Sequence, residues 1–352
     1  MNSLIKTGLF FLLLLTLACS KDNEAGSSSD WLIPEGEVRD GGPGKDGIPA
    51  ISSPNFSSIA EIDFLDPTDI VIAVKTTEGI RAYPHPVLDW HEIANDDLPS
   101  GERLSLTYCP LTGTAIGWDG TIDGNKTTFG VSGLLYNSNL MPFDRATDSY
   151  WSQMSHKCVN GPLSGTEINT FQVIEMDFNS LREIYPDAIV MNTETGFNRN
   201  YQLYPYGDYR TNNASLIFPV SNTDTRVASK ERVLGVVVNE EVMTYRFNSF
   251  DSQEVNVVEN QFQGTDLVVI GSQDQNFLVA YENRLADGTK LTFEAVQGEL
   301  PIVMQDNEGN RWDLCGEAIE GPRQGTKLPE VLNYIGYWFS WAAFNERLEI
   351  FE

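Results

Sequence analysis

The residues best suited to chemistry lie between His91 and Arg145. Cys109 closes a short β-like run, Leu104 to Tyr108, and the turn Pro110-Leu111-Thr112-Gly113 follows at once. A thiol on the lip of a strand is fixed by the strand and given room by the turn. Three readings fit these residues. In the first, Cys109 is a nucleophile and His91 its base, with Glu92, Asp96 or Asp144 orienting the imidazole. Backbone amides of the turn, around Thr112, Gly113 and Thr114, would then hold an oxyanion. A thiol needs such a partner, because at a pKa of ~8.5 it is mostly protonated at neutral pH. Tyr136, Asn137, Ser138, Asp144 and Arg145, from the loop YNSNLMPFDR, would wall a small polar pocket. In the second reading the site binds a small polar ligand or a metal. Cys109, His91 and Cys158, or His156, are donors suited to copper or zinc, although no CxxC or HExxH spacing is present. In the third, Cys109 and Cys158 form a disulfide, Cys315 is buried, and the loop only packs. No cofactor is named by any motif.

The N-terminus points to export. Lys6 precedes an apolar run, Leu9 to Leu15, that is too short to span a membrane, and Leu-Thr-Leu-Ala-Cys ends at Cys19. That order resembles the lipobox of bacterial lipoproteins, which implies a signal peptide over 1–18 and a lipid on Cys19. Ser20-Lys-Asp-Asn-Glu resembles the acidic export tag of surface lipoproteins in the Bacteroidota. The expected location is therefore the cell envelope, at the outer membrane or cell surface, with residues 19–30 as a polar tether. The 50 acidic against 23 basic residues argue against nucleic acid as a partner. If Cys19 is lipidated, three cysteines remain, so in an oxidising compartment at least one stays unpaired.

The elements that must position these side chains read mainly as strands. Residues 31–60 are rich in Gly and Pro, and DGGPGKDG is either an anion-binding loop built on backbone amides and Lys45 or a structural clasp. Ile70 to Lys75 and Ile80 to Tyr83 form a hairpin around Thr77-Glu-Gly. Pro84 and Pro86 break it, and Val87 to Asn95 is a short helix with Trp90 and Ile93 inward. The pattern then recurs. Val71-Ile-Ala-Val and Ala82-Tyr83 are matched by Val233-Leu-Gly-Val and Thr244-Tyr245, 162 residues on. Gly-Pro-Leu-Ser-Gly after Trp151 is matched by Gly-Pro-Arg-Gln-Gly after Trp312. The expected fold is mainly β (β-rich α+β), two similar lobes from an internal duplication with few short helices: 61–178, a connector over 179–228, and 229–352. The repeat is also a control. His91 and Cys109 do not recur in the second copy, whereas the scaffold does, which favours a site in the first.

HEIAND, LTYCPLTGTAIGWD, FGVSGLLYNSNLMPFDRATDSYWSQ and GPLSG resemble the DUF3179 family, a set of bacterial and archaeal proteins with no assigned function. DGGPGKDGIPA and RNYQLYPYGDYRTNN resemble a lipoprotein branch of it. The resemblance implies no established activity. Many members read Cys-Pro-Leu-Cys-Gly at the turn where this chain has Thr112, which argues against a dithiol couple or two-thiolate clip there.

Overall fold

Alternating apolar residues set the architecture. The computed structural model describes residues 30–250 and 254–351; the signal peptide, most of the tether and Cys19 lie outside them. Strands β1 (Ile70–Thr76) and β2 (Gly79–Pro84) form the expected hairpin. Helix α1 (His85–His91) follows. It starts earlier than the sequence reading placed it, because Pro86 does not break the chain here. A fixed φ and a missing N–H suit Pro to a first helical turn. Glu92 ends the helix at φ 59°.

A meander comes next: β3 (Ile93–Asp97), β4 (Arg103–Cys109) and β5 (Thr114–Asp119). A second holds β6 (Phe129–Tyr136), β7 (Asn139–Asp144), β8 (Tyr150–Ser152) and β9 (Lys157–Asn160). Strand β10 (Ile174–Asp177) then returns antiparallel to β1, helix α2 (Phe178–Ile184) crosses over, and β11 (Ile189–Met191) runs parallel to β2. The first half's sheet thus extends to Met191, into the stretch read as connector.

The second half follows the same order. Its hairpin is β12 (Arg232–Val238) and β13 (Glu241–Arg246). One meander is β14 (Asn256–Phe262), β15 (Thr265–Ser272) and β16 (Phe277–Glu282). The other is β17 (Phe293–Ala295), β18 (Ile302–Asp306), β19 (Arg311–Asp313) and β20 (Ala318–Glu320). Strand β21 (Leu332–Tyr337) pairs antiparallel with β12, and after helix α3 (Trp338–Phe344) strand β22 (Leu348–Ile350) runs parallel to β13. A single 3-10 turn, Phe247–Ser249, stands where the first half has α1.

The halves interlock rather than standing side by side. Side chains alternate across a strand. On β1 and β2, Ile72, Val74 and Tyr83 pack on Leu104 and Leu106 of the same half. Val71, Ala73 and Ala82 face the other way, onto Val279, Tyr281 and Trp312 of the second half. The reverse holds for β12. Leu234 and Val236 meet Leu267 and Val269 of their own half, whereas Val233 shares a core with Cys109, Ile116, Trp118 and Trp151. Residues 31–352 accordingly form one compact unit.

The Gly/Pro-rich stretch serves as a clasp. Gly41 N–H donates to Gly133 O at 2.7 Å and Asp46 N–H to Val131 O at 2.8 Å. Arg145 holds the Asp46 carboxylate (2.8 Å) and Lys45 pairs with Asp148.

Candidate functional site

The Cys109 turn is built from inside. Thr112, Thr114, Asn139 and Gln153 are buried and bonded to one another: the two threonine hydroxyls lie 2.8 Å apart, and Asn139 Nδ2 donates to Thr112 Oγ1 (2.9 Å) and to Gln153 Oε1 (2.7 Å). Gly113 has φ 62°, and a Cβ there would meet the Tyr337 ring at 2.9 Å. Tyr337 N–H donates to Thr112 O at 2.7 Å. The space above the turn, expected to be open for an oxyanion, is therefore filled by the end of β21.

Cys109 is 1% exposed, and its Sγ lies 3.7 Å from Ser138 O. Burial, with the Glu92 carboxylate nearby, pushes its thiol up to about 11. His91 does not serve it. Its Nδ1 lies 2.7 Å from Pro49 O and its Nε2 2.8 Å from the Tyr201 hydroxyl, and burial lowers its pKa. The expected nucleophile–base hydrogen bond is not formed, because both His91 ring nitrogens are taken by Pro49 and Tyr201. Glu92, expected only to orient the imidazole, is the residue beside the thiol. It is buried, accepts from the Tyr206 hydroxyl at 3.3 Å, and burial raises its pKa to about 7. A small apolar pocket of about 60 Å³ lies against it, lined by Leu111, Leu134, Leu140, Tyr206 and Phe218.

The expected polar wall is structural. Asn137 and Ser138, at φ 51° and 62°, form the two-residue turn of the β6–β7 hairpin, a geometry that requires positive φ at both. Asn137 donates to Ala343 O (3.1 Å) and Ser138 Oγ to Phe218 O (2.7 Å). Tyr136 stacks edge-on against Phe344. Asp144 accepts from Thr147 N–H and from Trp151 Nε1 at 2.7 and 3.1 Å. Asp306 does the same for Trp312 Nε1 at 2.9 Å in the second half, so the device belongs to the scaffold. Arg145 belongs to the clasp.

The three described cysteines are free thiols, which removes the Cys109–Cys158 disulfide. Cys158 faces Asn160 O at 3.4 Å, and burial pushes it to about 11. The set Cys109, His91 and Cys158 does not converge, and among the described residues no group of three His, Cys, Asp or Glu is placed to hold a metal ion.

A different constellation does converge. On α1, His85 and Asp89 stand at i and i+4 on one face, and Glu92 follows at the helix C-cap. The aromatic segment after β11 lies over that face. Arg210 Nη2 donates to both Asp89 oxygens (2.9 and 2.7 Å), and its guanidinium lies 3.7 Å from the Tyr204 ring centroid. Tyr204 in turn donates to Pro110 O at 3.4 Å. Below, His85 Nε2 stands 3.3 Å from Glu175 Oε2 of β10, an ion-pair distance without hydrogen-bond alignment. Arg232 from β12 donates to the same oxygen at 2.8 Å. Glu175 Oε1 and the Tyr209 hydroxyl are buried without a hydrogen-bond partner. A cleft of about 390 Å³ opens over Asp63, Asp66, Asp69, Asp89, Tyr201 and Arg210.

Residues 45–347 match the family described as a protein of unknown function, DUF3179. The chain belongs to the DUF3179 family. No curated protein and no solved structure matches this DUF3179 chain.

Sequence reasoning missed His85, Asp89, Glu175, Arg210 and Arg232. Two signals were available: the i, i+4 spacing of His and Asp in HPVLD, and a lone glutamate in the apolar strand IEM.

Proposed function

We propose that this DUF3179 protein is an exported, lipid-anchored binder of a small polar molecule, taken up non-covalently in the cleft over α1. One observation carries this reading. Glu175 stands opposite Ile72, which stands opposite Tyr83; in the second half Ile335 stands opposite Leu234, which stands opposite Tyr245. Two residues after each tyrosine come His85 and Phe247. The fold thus accepts an apolar pair, Phe247 and Ile335, at the register positions that hold His85 and Glu175. Buried charges cost stability unless fully paired, and apolar replacements are often neutral or better. Charges kept where the same scaffold uses hydrocarbon, beside an open polar cleft, are best accounted for by a ligand.

The triple variant His85→Phe/Glu175→Ile/Arg232→Met tests this, because Arg232, which donates to Glu175, would otherwise be left unpaired. It should melt at or above the wild-type temperature and lose the stabilisation that a bound small molecule gives wild type, about 2.7 kcal/mol at a hundredfold excess over Kd. A variant that unfolds would make the charges structural and end the proposal.

Glu92 favours a second reading, acid–base chemistry in the small pocket beside Cys109. A carboxyl tuned to about 7 suits proton transfer near neutral pH. A cysteine-centred reaction would use Glu92, not His91, to take the thiol proton, and burial of both groups opposes it. Anchoring through Cys19 rests on the lipobox order alone. Cys19→Ala should release the protein from membranes, and unchanged membrane association would end that part.

A further inference from the structure

We infer that the pocket beside Glu92 takes an uncharged carbonyl compound of about three carbons, or the carbonyl head of a longer one, whose oxygen accepts a hydrogen bond from the Glu92 carboxyl; this deepens the acid–base reading above and rests on it. Separate stretches of chain wall the pocket. Pro43 and Ile48 come from the clasp, Leu111 from the Cys109 turn, Leu140 from β7, and Tyr206 and Phe218 from the segment after β11. The clasp lies tight against β6 here: Gly133 has φ 81°, and a Cβ on it would meet the Gly44 backbone at 2.9 Å. Pro43 is exposed and marks the mouth. The lining side chains are apolar except Glu92 and Tyr206.

Glu92 supplies the sign of a ligand. It is 8% exposed and lines the pocket, yet only one of its oxygens is bonded. Oε1 accepts from the Tyr206 hydroxyl, and Oε2 has no hydrogen-bond partner among the described residues. Buried polar groups are normally satisfied, so an unpaired one marks a place for a partner. No cation stands against this carboxyl. The titratable groups that act on it or feel it are Tyr206, Cys109 and Asp89, and Asp89 is itself held by Arg210. Below about 7 the carboxyl therefore keeps its proton, and the acid O–H is a donor in an apolar pocket with no acceptor. Water fits poorly, since it needs two to four polar partners. A ketone or aldehyde needs one donor, and its hydrocarbon matches the walls. A cavity of ~150 Å³ holds a six-carbon ring, so about 60 Å³ suits about two or three carbons.

The test is a saturation-transfer NMR titration of the full-length chain in mild detergent with acetone and butan-2-one, at pH 5.5 and pH 8.5. Ethylamine serves as the cationic probe. At least one ketone should bind saturably at pH 5.5, and its affinity should fall tenfold or more at pH 8.5, where Glu92 has lost its proton. Glu92→Gln keeps a donor that does not titrate, so it should bind within threefold of wild type at pH 5.5 and hold that affinity at pH 8.5. Leu135→Trp should fill the pocket and abolish binding. Melting curves identify a variant that fails to fold, and Leu134→Trp then replaces Leu135→Trp. No saturable ketone binding at pH 5.5 overturns the inference, and Glu92 titrating near 7 would then leave the acid–base reading standing. Ketone binding unchanged in the pocket-filling variant, or binding of ethylamine alone that grows as pH rises, also overturns it. Ketone binding without exchange of the ketone's α-hydrogens in D2O would support the inference and end the acid–base reading.

Discussion

At Glu92 the protein holds a carboxyl in its protonated form far above the usual range. Burial raises it from 4.5 to about 7, against the Tyr206 hydrogen bond that lowers it. The folded state therefore binds a proton that the unfolded state releases between those values. Stability from this group is intact below 4.5 and falls as pH rises to 7. The full effect is about 3 kcal/mol at 1.36 kcal/mol per unit. Urea melts should give Glu92→Gln equal to wild type near pH 4.5 and more stable at pH 8; a constant difference across that range would contradict the assignment. Cys109 follows the same physics. With its thiol near 11, it should resist iodoacetamide at pH 8 while the protein is folded and react on unfolding. Fast alkylation of the native protein, mapped to Cys109, would revive the nucleophile reading.

At the level of elements, the first hairpin, the strand into Cys109 and the Gly-Pro turns after Trp151 and Trp312 were legible in the sequence. Alternation and Gly/Pro turns are local signals, readable over a few residues. The site was legible only as a neighbourhood. His91 and Glu92 are adjacent in sequence, but His91 is the last helical residue and Glu92 leaves the helix at φ 59°, so one faces Tyr201 and the other Tyr206. Which of them meets Cys109 depends on how α1 is rolled against β4, and nothing local states that. Arg210 and Glu175 were harder still, because each reaches α1 through tertiary packing alone. The paired turn anchors give an element-scale prediction. Asp144→Ala and Asp306→Ala each strand a buried indole N–H and backbone donors, so both should cost about 3 kcal/mol. A large loss at Asp144 with none at Asp306 would argue that Asp144 does something besides pin Trp151.

For the molecule as a whole, two cores each draw on both halves. Cys109 and Trp151 share one with Val233 and Trp338, and Val71 shares another with Val279 and Trp312. Residues 31–228 and 229–352 should therefore fail to fold when made separately, and thermal unfolding of the full chain should be a single transition. A folded fragment on its own would contradict the interlocked core.

The same interlocking has a consequence in time. Lys75 meets Asp313, 238 residues further along the chain, only once both have been made. Contacts this distant in sequence slow folding, because chain closure is lost entropy until the partner arrives. An N-terminal half leaving the ribosome has no partner for one face of its hairpin and stays open. Under the export proposed above, that delay would be useful: the polypeptide would remain translocation-competent until its last strands have been made.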